Sequence, residues 1–196
     1  MTRLPMRQAY LERLVPKAEG CIICSYLGSS ARMISKVRPQ GPNFILNDFM
    51  GLNISVALGM AVARPDKSVI VLEGDGGLLM KLETLVTAGA KAPPNLLVVT
   101  FFNGWYITGG RQPLPAPEVN LEDFARAARF PQTATVDTLD GFDAALDRML
   151  DSGRLGYINL HVKRETPEQV ASLGAPPPRP LEMRTNFTRW IQANPK

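Results

Sequence analysis

Six short, mostly apolar runs recur along this chain, the one at 68–72 β-branched, and stretches with helical composition and spacing separate them. The runs lie at 21–27, 44–46, 68–72, 96–102, 133–136 and 155–162. The helical stretches lie at 31–36, 51–63, 78–90, 121–129 and 141–151. Strands buried on both faces read as continuous apolar runs, and parallel neighbours need a crossover between them. The alternation therefore predicts an α/β fold: a doubly wound, mostly parallel sheet with helices on both faces. No internal repeat competes with this reading.

The flanks differ from this pattern. Residues 1–19 are mixed and charged, and the spacing of Leu4, Tyr10, Leu11, Leu14 and Val15 predicts a short helix that ends near Pro16. Residues 20–165 carry the alternating pattern. Residues 166–196 read as a proline-rich linker, densest at 175–180, and a short amphipathic helix over 186–193. The 103–117 stretch, with three glycines and three prolines, reads as a long loop.

Charge and cysteine content exclude several function classes. The 196 residues include 22 basic and 18 acidic side chains, for a net charge of +4. The excess is dispersed, and its tightest groupings, Lys36/Arg38 and Lys163/Arg164, are too small for a nucleic-acid footprint. A mild positive balance suits a small anionic ligand. Cys21 and Cys24 have redox-motif spacing, but they sit three apart on an expected strand, where side chains face opposite sides. They read as reduced core thiols. No signal peptide or apolar run of membrane-spanning length is visible, so the expected compartment is the cytoplasm, with no membrane or nucleic-acid partner.

In a doubly wound sheet, ligands sit beyond the carboxyl ends of the strands. Three such ends carry chemistry. Gly74-Asp75-Gly76-Gly77 follows the 68–72 strand and opens a helix. Glycines there admit a phosphate close to the backbone, and free N–H groups face it. Asp75 would repel a bare phosphate, so the pairing makes sense with a divalent cation between them, and Mg2+ prefers a few protein oxygens plus phosphate oxygens. Asn103 ends the next strand, with one helix and one strand intervening, and the carbonyl of Trp105 could add a third oxygen. Gly28-Ser29-Ser30 follows the first strand, where the serines can cap a helix or bind a second phosphate group. Each piece alone is an ordinary turn or cap. In this order, at matching strand ends, they converge on a diphosphate–metal site.

Gly74-Asp75-Gly76, then a helix, a strand and Asn103, resembles the motif of the thiamine-diphosphate enzymes, specifically their diphosphate-binding (PP) domain, over residues 21–162. The 51–87 stretch is similar to the β subunits of sulfopyruvate decarboxylases and to the matching part of phosphonopyruvate decarboxylases. It carries Ala57-Leu58-Gly59-Met60-Ala61, Arg64-Pro65-Asp66-Lys67 and Leu78-Leu79-Met80. Gly109-Gly110-Arg111-Gln112-Pro113 is similar to a loop of that group with one residue inserted. The resemblance implies thiamine diphosphate and Mg2+ as cofactors. It places Asp75, Asn103 and the Trp105 carbonyl on the metal. It places Gly74, Gly76, Gly77 and Ser29 at the diphosphate, and Tyr106 and Ile107 beside the cofactor. It implies that Met50, in Phe49-Met50-Gly51, wedges the cofactor into its bent shape and that the Asp48 carbonyl receives its aminopyrimidine. Asp48-Phe49, where the family has Gly-Ser, and Phe102 before the metal asparagine depart from the pattern without removing a metal ligand.

The resemblance also implies a glutamate on a second, PYR-type domain that activates the cofactor. One domain's length leaves no room for it here, so a partner α subunit is expected, in an α2β2 or larger hetero-oligomer. The expected activity is that of a lyase, decarboxylating a small anionic 2-oxo acid. Arg32 and Arg111 are candidate contacts for a second anion on that substrate, or else solvated surface arginines. Trp105 and Tyr106 read either as lining the site or as packing, and His161 reads as structural. Half of an acetolactate-synthase-like carboligase, or a non-catalytic module that keeps the fold, remain as alternatives.

Overall fold

The computed structural model describes residues 4–46, 50–107, 110–173 and 176–195. In chain order the elements are α1 (Arg7–Lys17), β1 (Ile22–Tyr26), α2 (Ser29–Val37), β2 (Asn43–Leu46), α3 (Asn53–Ala63) and β3 (Val69–Gly74). There follow α4 (Asp75–Met80), α5 (Glu83–Lys91), β4 (Leu96–Phe102), β5 (Trp105–Tyr106), β6 (Gln112–Pro113) and α6 (Leu121–Ala127). The last are β7 (Gln132–Val136), α7 (Leu139–Asp151), β8 (Gly156–His161), α8 (Pro167–Ala171) and α9 (Pro180–Ala193).

The six longer strands form one sheet in the order β2-β1-β3-β4-β8-β7, and every pairing is parallel. Side chains alternate between two cores, as a two-residue strand period requires. Ile23, Ile70, Leu72, Leu97, Val99, Phe101, Ile158 and Leu160 pack with α1, α2 and α7 on one face. Ile22, Cys24, Val69, Val71, Leu96, Val98 and Tyr157 pack with α3, α5 and α6 on the other. Burial on both sides is why these strands are mostly apolar; Ser25, Glu73, Thr100 and Asn159 are buried polar exceptions. Cys21 and Cys24 are free, buried and in opposite cores. Among the described residues no helix is long and apolar enough to cross a membrane.

Strand order adds something the periodicity lacks. From β1 the chain steps outward to β2, then returns to β3 on the other side of β1. The switch point therefore falls between β1 and β3, whose carboxyl ends lead into Gly28-Ser29 and Gly74-Asp75.

Several local expectations are corrected. The helix expected over 78–90 is two helices, and the first opens at Asp75. Lys81 leaves helical geometry (φ −148°, ψ 51°). Its carbonyl accepts from both the Thr84 amide (3.0 Å) and the Thr84 hydroxyl (2.8 Å), which starts α5 afresh. Ser29 and Ser30 do not cap α2 but form its first turn. The N-cap is Gly28 at φ 95°, ψ −146°, a conformation open essentially to glycine. The 103–117 loop contains the β5–β6 ladder, which pairs Trp105 with Pro113 and Tyr106 with Gln112. Helix α8, capped by Thr166, was not expected. Helix α9 begins six residues earlier than 186, with Pro180 at its first turn, and lays Phe187, Trp190 and Ile191 against the α3 face. Asn120 caps α6 as its sequence position suggested, accepting from the Glu122 amide at 3.0 Å.

Candidate functional site

Asp75 is the centre of the strand-end cluster. It is 2% exposed, at the junction of β3 and α4. Its Oδ1 accepts from the Gly76 amide at 2.8 Å. Its Oδ2 accepts from the amides of Asn103 (2.8 Å) and Gly104 (2.7 Å), so the carboxylate ties the end of β3 to the end of β4. Burial pushes the carboxyl above its ordinary range, although the Gly104, Gly76 and Asn103 N–H groups and the charge of Arg7 oppose the shift. A divalent cation would offset that burial. The Asn103 Oδ1 lies in the same turn and accepts from the Trp105 amide at 2.8 Å.

These atoms suit a hard cation. Asp75 Oδ1 and Asn103 Oδ1 each accept one bond and so keep lone-pair capacity, whereas Asp75 Oδ2 already accepts two. Among the described residues no three His, Cys, Asp or Glu side chains are gathered at one point. A metal here would therefore take one carboxylate, one amide oxygen and main-chain oxygen, with the remaining positions left to water and a bound phosphate, the pattern that suits Mg2+.

The glycines of the turn are also required by the protein itself. A Cβ on Gly76 would lie 2.5 Å from the Tyr106 ring, and one on Gly77 would lie 2.5 Å from Glu73 Oε1. Glu73 is wholly buried beneath this turn; its Oε1 accepts from the Gly74 amide at 2.9 Å, and its Oε2 has no partner among the described residues. Burial pushes its carboxyl up to about 8, the Gly74 N–H opposing and Asp75 adding to the shift.

Opposite the turn stand Ser29 and Ser30, and beside them Arg7, a residue the sequence did not single out. Arg7 is 6% exposed. Its Nε and Nη2 donate to Glu165 at 3.1 and 3.5 Å, its Nη1 donates to Ser30 Oγ at 2.6 Å, and its guanidinium lies 4.9 Å from the Phe101 ring centroid. No local pattern could reveal it, because its carboxylate partner is 158 positions away. Ser29, Met50, Gly74, Asp75, Gly76, Gly77, Asn103, Trp105, Tyr106 and Ile107 all border one narrow cleft of about 50 Å³, together with Arg7. Asp48 and Phe49 lie outside the described residues. Arg111 borders a second cavity that shares Trp105 and Ile107 with the cleft. Arg32 faces a third, between α2, β2 and α9, so the two arginines are not brought together. His161 ends β8 with its ring 5.0 Å from that of Phe102.

Comparison with known proteins agrees with this geometry. Residues 27–160 match the family described as thiamine pyrophosphate enzyme, C-terminal TPP binding domain. The chain is 30% identical over 192 residues to phosphonopyruvate decarboxylase of Streptomyces viridochromogenes, covering 97% of this chain and 47% of that protein. The chain thus spans about half the length of that relative. It is 34% identical over 136 residues to sulfopyruvate decarboxylase subunit beta of Methanothermobacter thermautotrophicus, covering 69% of this chain and 72% of that one. Benzoylformate decarboxylase of Polynucleobacter necessarius superposes with a TM-score of 0.70 at 18% identity, over 81% of this chain and 33% of that one, which shows a shared fold.

Proposed function

The chain belongs to the thiamine pyrophosphate enzymes, and on that premise we propose that it is the cofactor-holding subunit of a two-subunit 2-oxo acid decarboxylase. Its substrate would be of the sulfopyruvate or phosphonopyruvate kind. Residues 20–165 are the cofactor-binding unit in this reading. The observation that carries it is the Asp75 carboxylate bridging the ends of β3 and β4 beside the Asn103 amide, at the mouth of the β1/β3 switch point. The likeness to a protein named a subunit beta, over 72% of that protein's length, supports the two-subunit arrangement. The partner would contribute a PYR-type domain and the activating glutamate.

Asp75, Asn103 and the Trp105 carbonyl would hold Mg2+. The Gly77 amide and the Ser29 hydroxyl would meet the diphosphate. The Gly76 amide is already given to Asp75, so Gly76 serves by keeping the turn free of a side chain. Arg7 adds a fixed positive charge at the same cleft. Thiamine diphosphate, when bound, supplies the electron sink that loss of carbon dioxide from a 2-oxo acid requires. The chain's part is to orient that group and to exclude water with Trp105, Tyr106, Ile107 and Met50.

The test is reconstitution. The chain, co-expressed with the product of the adjacent gene, should release carbon dioxide from sulfopyruvate or phosphonopyruvate only when both chains, thiamine diphosphate and Mg2+ are present. A pair that assembles and binds the cofactor but decarboxylates neither acid would overturn the substrate assignment. Turnover by this chain alone would overturn the two-subunit reading.

A further inference from the structure

Resting on the decarboxylase reading, we propose that the cavity walled by Trp105, Arg111, Lys163 and Arg164 is the subsite for the substrate's second oxyanion, with Lys163 and Arg164 as the residues that set specificity for it. The cavity, of about 570 Å³, shares Trp105 and Ile107 with the cofactor cleft. Trp105 joins the two sites directly. Its amide is bonded to Asn103 in the cleft, and its ring carries the Arg164 guanidinium at 4.1 Å from the centroid. A small acid whose 2-oxo group meets the cofactor therefore has a cationic wall one residue away for its other end.

The charge on that wall is unbalanced. Arg111, Lys163 and Arg164 come together from two distant segments. Among the described residues none of the three makes an ion pair. The acid in the wall, Glu165, is buried and committed to Arg7. Glu168, on the neighbouring α8, is held below the ordinary carboxylate range by its own amide, by Thr166 and by the charge of Arg111, with burial opposing, and it does not line the cavity. Like charges gathered in this way repel one another, and an anion between them relieves the repulsion. Arg111 is also held at φ 56°, a left-handed conformation unusual outside glycine.

The backbone that bears Lys163 and Arg164 is held in place, and the Arg164 side chain rests on the Trp105 ring. The Lys163 amide donates to the Pro5 carbonyl at 2.9 Å. Glu165 is clamped by Arg7, and Thr166 closes a capping box with Gln169. The segment that bears Lys163 and Arg164 is thus fixed on both sides, which lowers the entropy lost when it binds an anion. A guanidinium stacked on an indole keeps its edge for a forked contact with sulfonate, phosphonate or carboxylate oxygens.

The experiment uses the assembled protein with thiamine diphosphate and Mg2+. Calorimetry would titrate 3-sulfopropanoate, which is sulfopyruvate without its reactive carbonyl, with propanoate as the control, against the wild type and Lys163→Gln/Arg164→Gln. Two charge-assisted contacts are lost, so affinity for 3-sulfopropanoate should fall roughly 10–100-fold while propanoate and thiamine diphosphate bind as before. With sulfopyruvate as substrate, KM should rise more than kcat falls, and Arg164→Lys alone should recover part of the loss. Equal 3-sulfopropanoate affinity in the double variant, with cofactor binding intact, overturns the proposal. So does dissociation of the double variant from its partner, which would make this wall a subunit contact. A wild type that fails to bind thiamine diphosphate at all overturns the decarboxylase reading itself.

Discussion

Arg7→Met would leave the Glu165 carboxylate buried without its counter-charge. The wild-type pair is joined at 3.1 and 3.5 Å, with Arg7 6% and Glu165 4% exposed. Methionine keeps most of the apolar contact with Phe101 and removes only the charge and the donors to Glu165 and Ser30. Removing one partner of a buried pair costs about 3–5 kcal/mol, because the survivor is left uncompensated. For a chain of this size each kcal/mol moves Tm by roughly 2–4 °C, so a drop of roughly 6–20 °C is expected. Urea unfolding followed by circular dichroism at neutral pH measures it. Arg7→Met/Glu165→Leu should recover much of the loss, since no buried charge then remains. A single-variant loss below about 1 kcal/mol, or a double variant no more stable than the single, would refute the reasoning. Because Arg7 also holds Ser30 at the cleft, the single variant should bind thiamine diphosphate more weakly than the wild type.

Two helix glycines should respond in opposite directions. At Gly59, exposed within α3, a Cβ would meet nothing within 4 Å, so Gly59→Ala should stabilise the fold by about 0.5–1 kcal/mol. At Gly89 a Cβ would fall 1.7 Å from the Ala128 carbonyl oxygen, so Gly89→Ala must push α5 from the turn after α6 and should destabilise by about 1–3 kcal/mol. Thermal melts of both variants check the pair, and a shift in the same direction for both contradicts the packing described. The thiols should be silent toward a thiol reagent at pH 8. Burial pushes Cys24 up to about 12 and also raises Cys21, so the reactive thiolate is scarce until pH passes those raised values. Both should react once the chain is unfolded; a fast native thiol contradicts this.

The parts of the fold legible in the sequence are those where one physical cause dominates. Leu96–Phe102 is read to the residue because a central strand buried on both faces is apolar at nearly every position, Thr100 being the exception here. The cluster of Asp75 and Asn103 is legible because equivalent strand ends lie side by side in a parallel sheet. Where two causes compete, sequence alone misleads. Leu78 to Ala90 has uninterrupted helical composition, and the break at Lys81 arises from Thr84 bonding back to its carbonyl. Ser29 and Ser30 have the side chains of caps, but Gly28, in a positive-φ extended conformation that favours glycine, takes the cap position and leaves them in the first turn of the helix. Contacts that span the chain leave no local trace. Arg7 with Glu165, and Arg164 over Trp105, arise only when β8 is laid beside β4. Lys163 and Arg164 were visible as a basic pair too small for nucleic acid; what they face was not.

The most direct test of the central claim is calorimetric titration of thiamine diphosphate into the assembled protein, with and without Mg2+, for the wild type and for Asp75→Ala confirmed as folded by circular dichroism. The Asp75 and Asn103 oxygens predict binding that requires Mg2+ and is lost in Asp75→Ala. Binding that is indifferent to Mg2+ and to Asp75, or no binding by the wild type at all, would contradict the assignment of this cleft as a metal–diphosphate site.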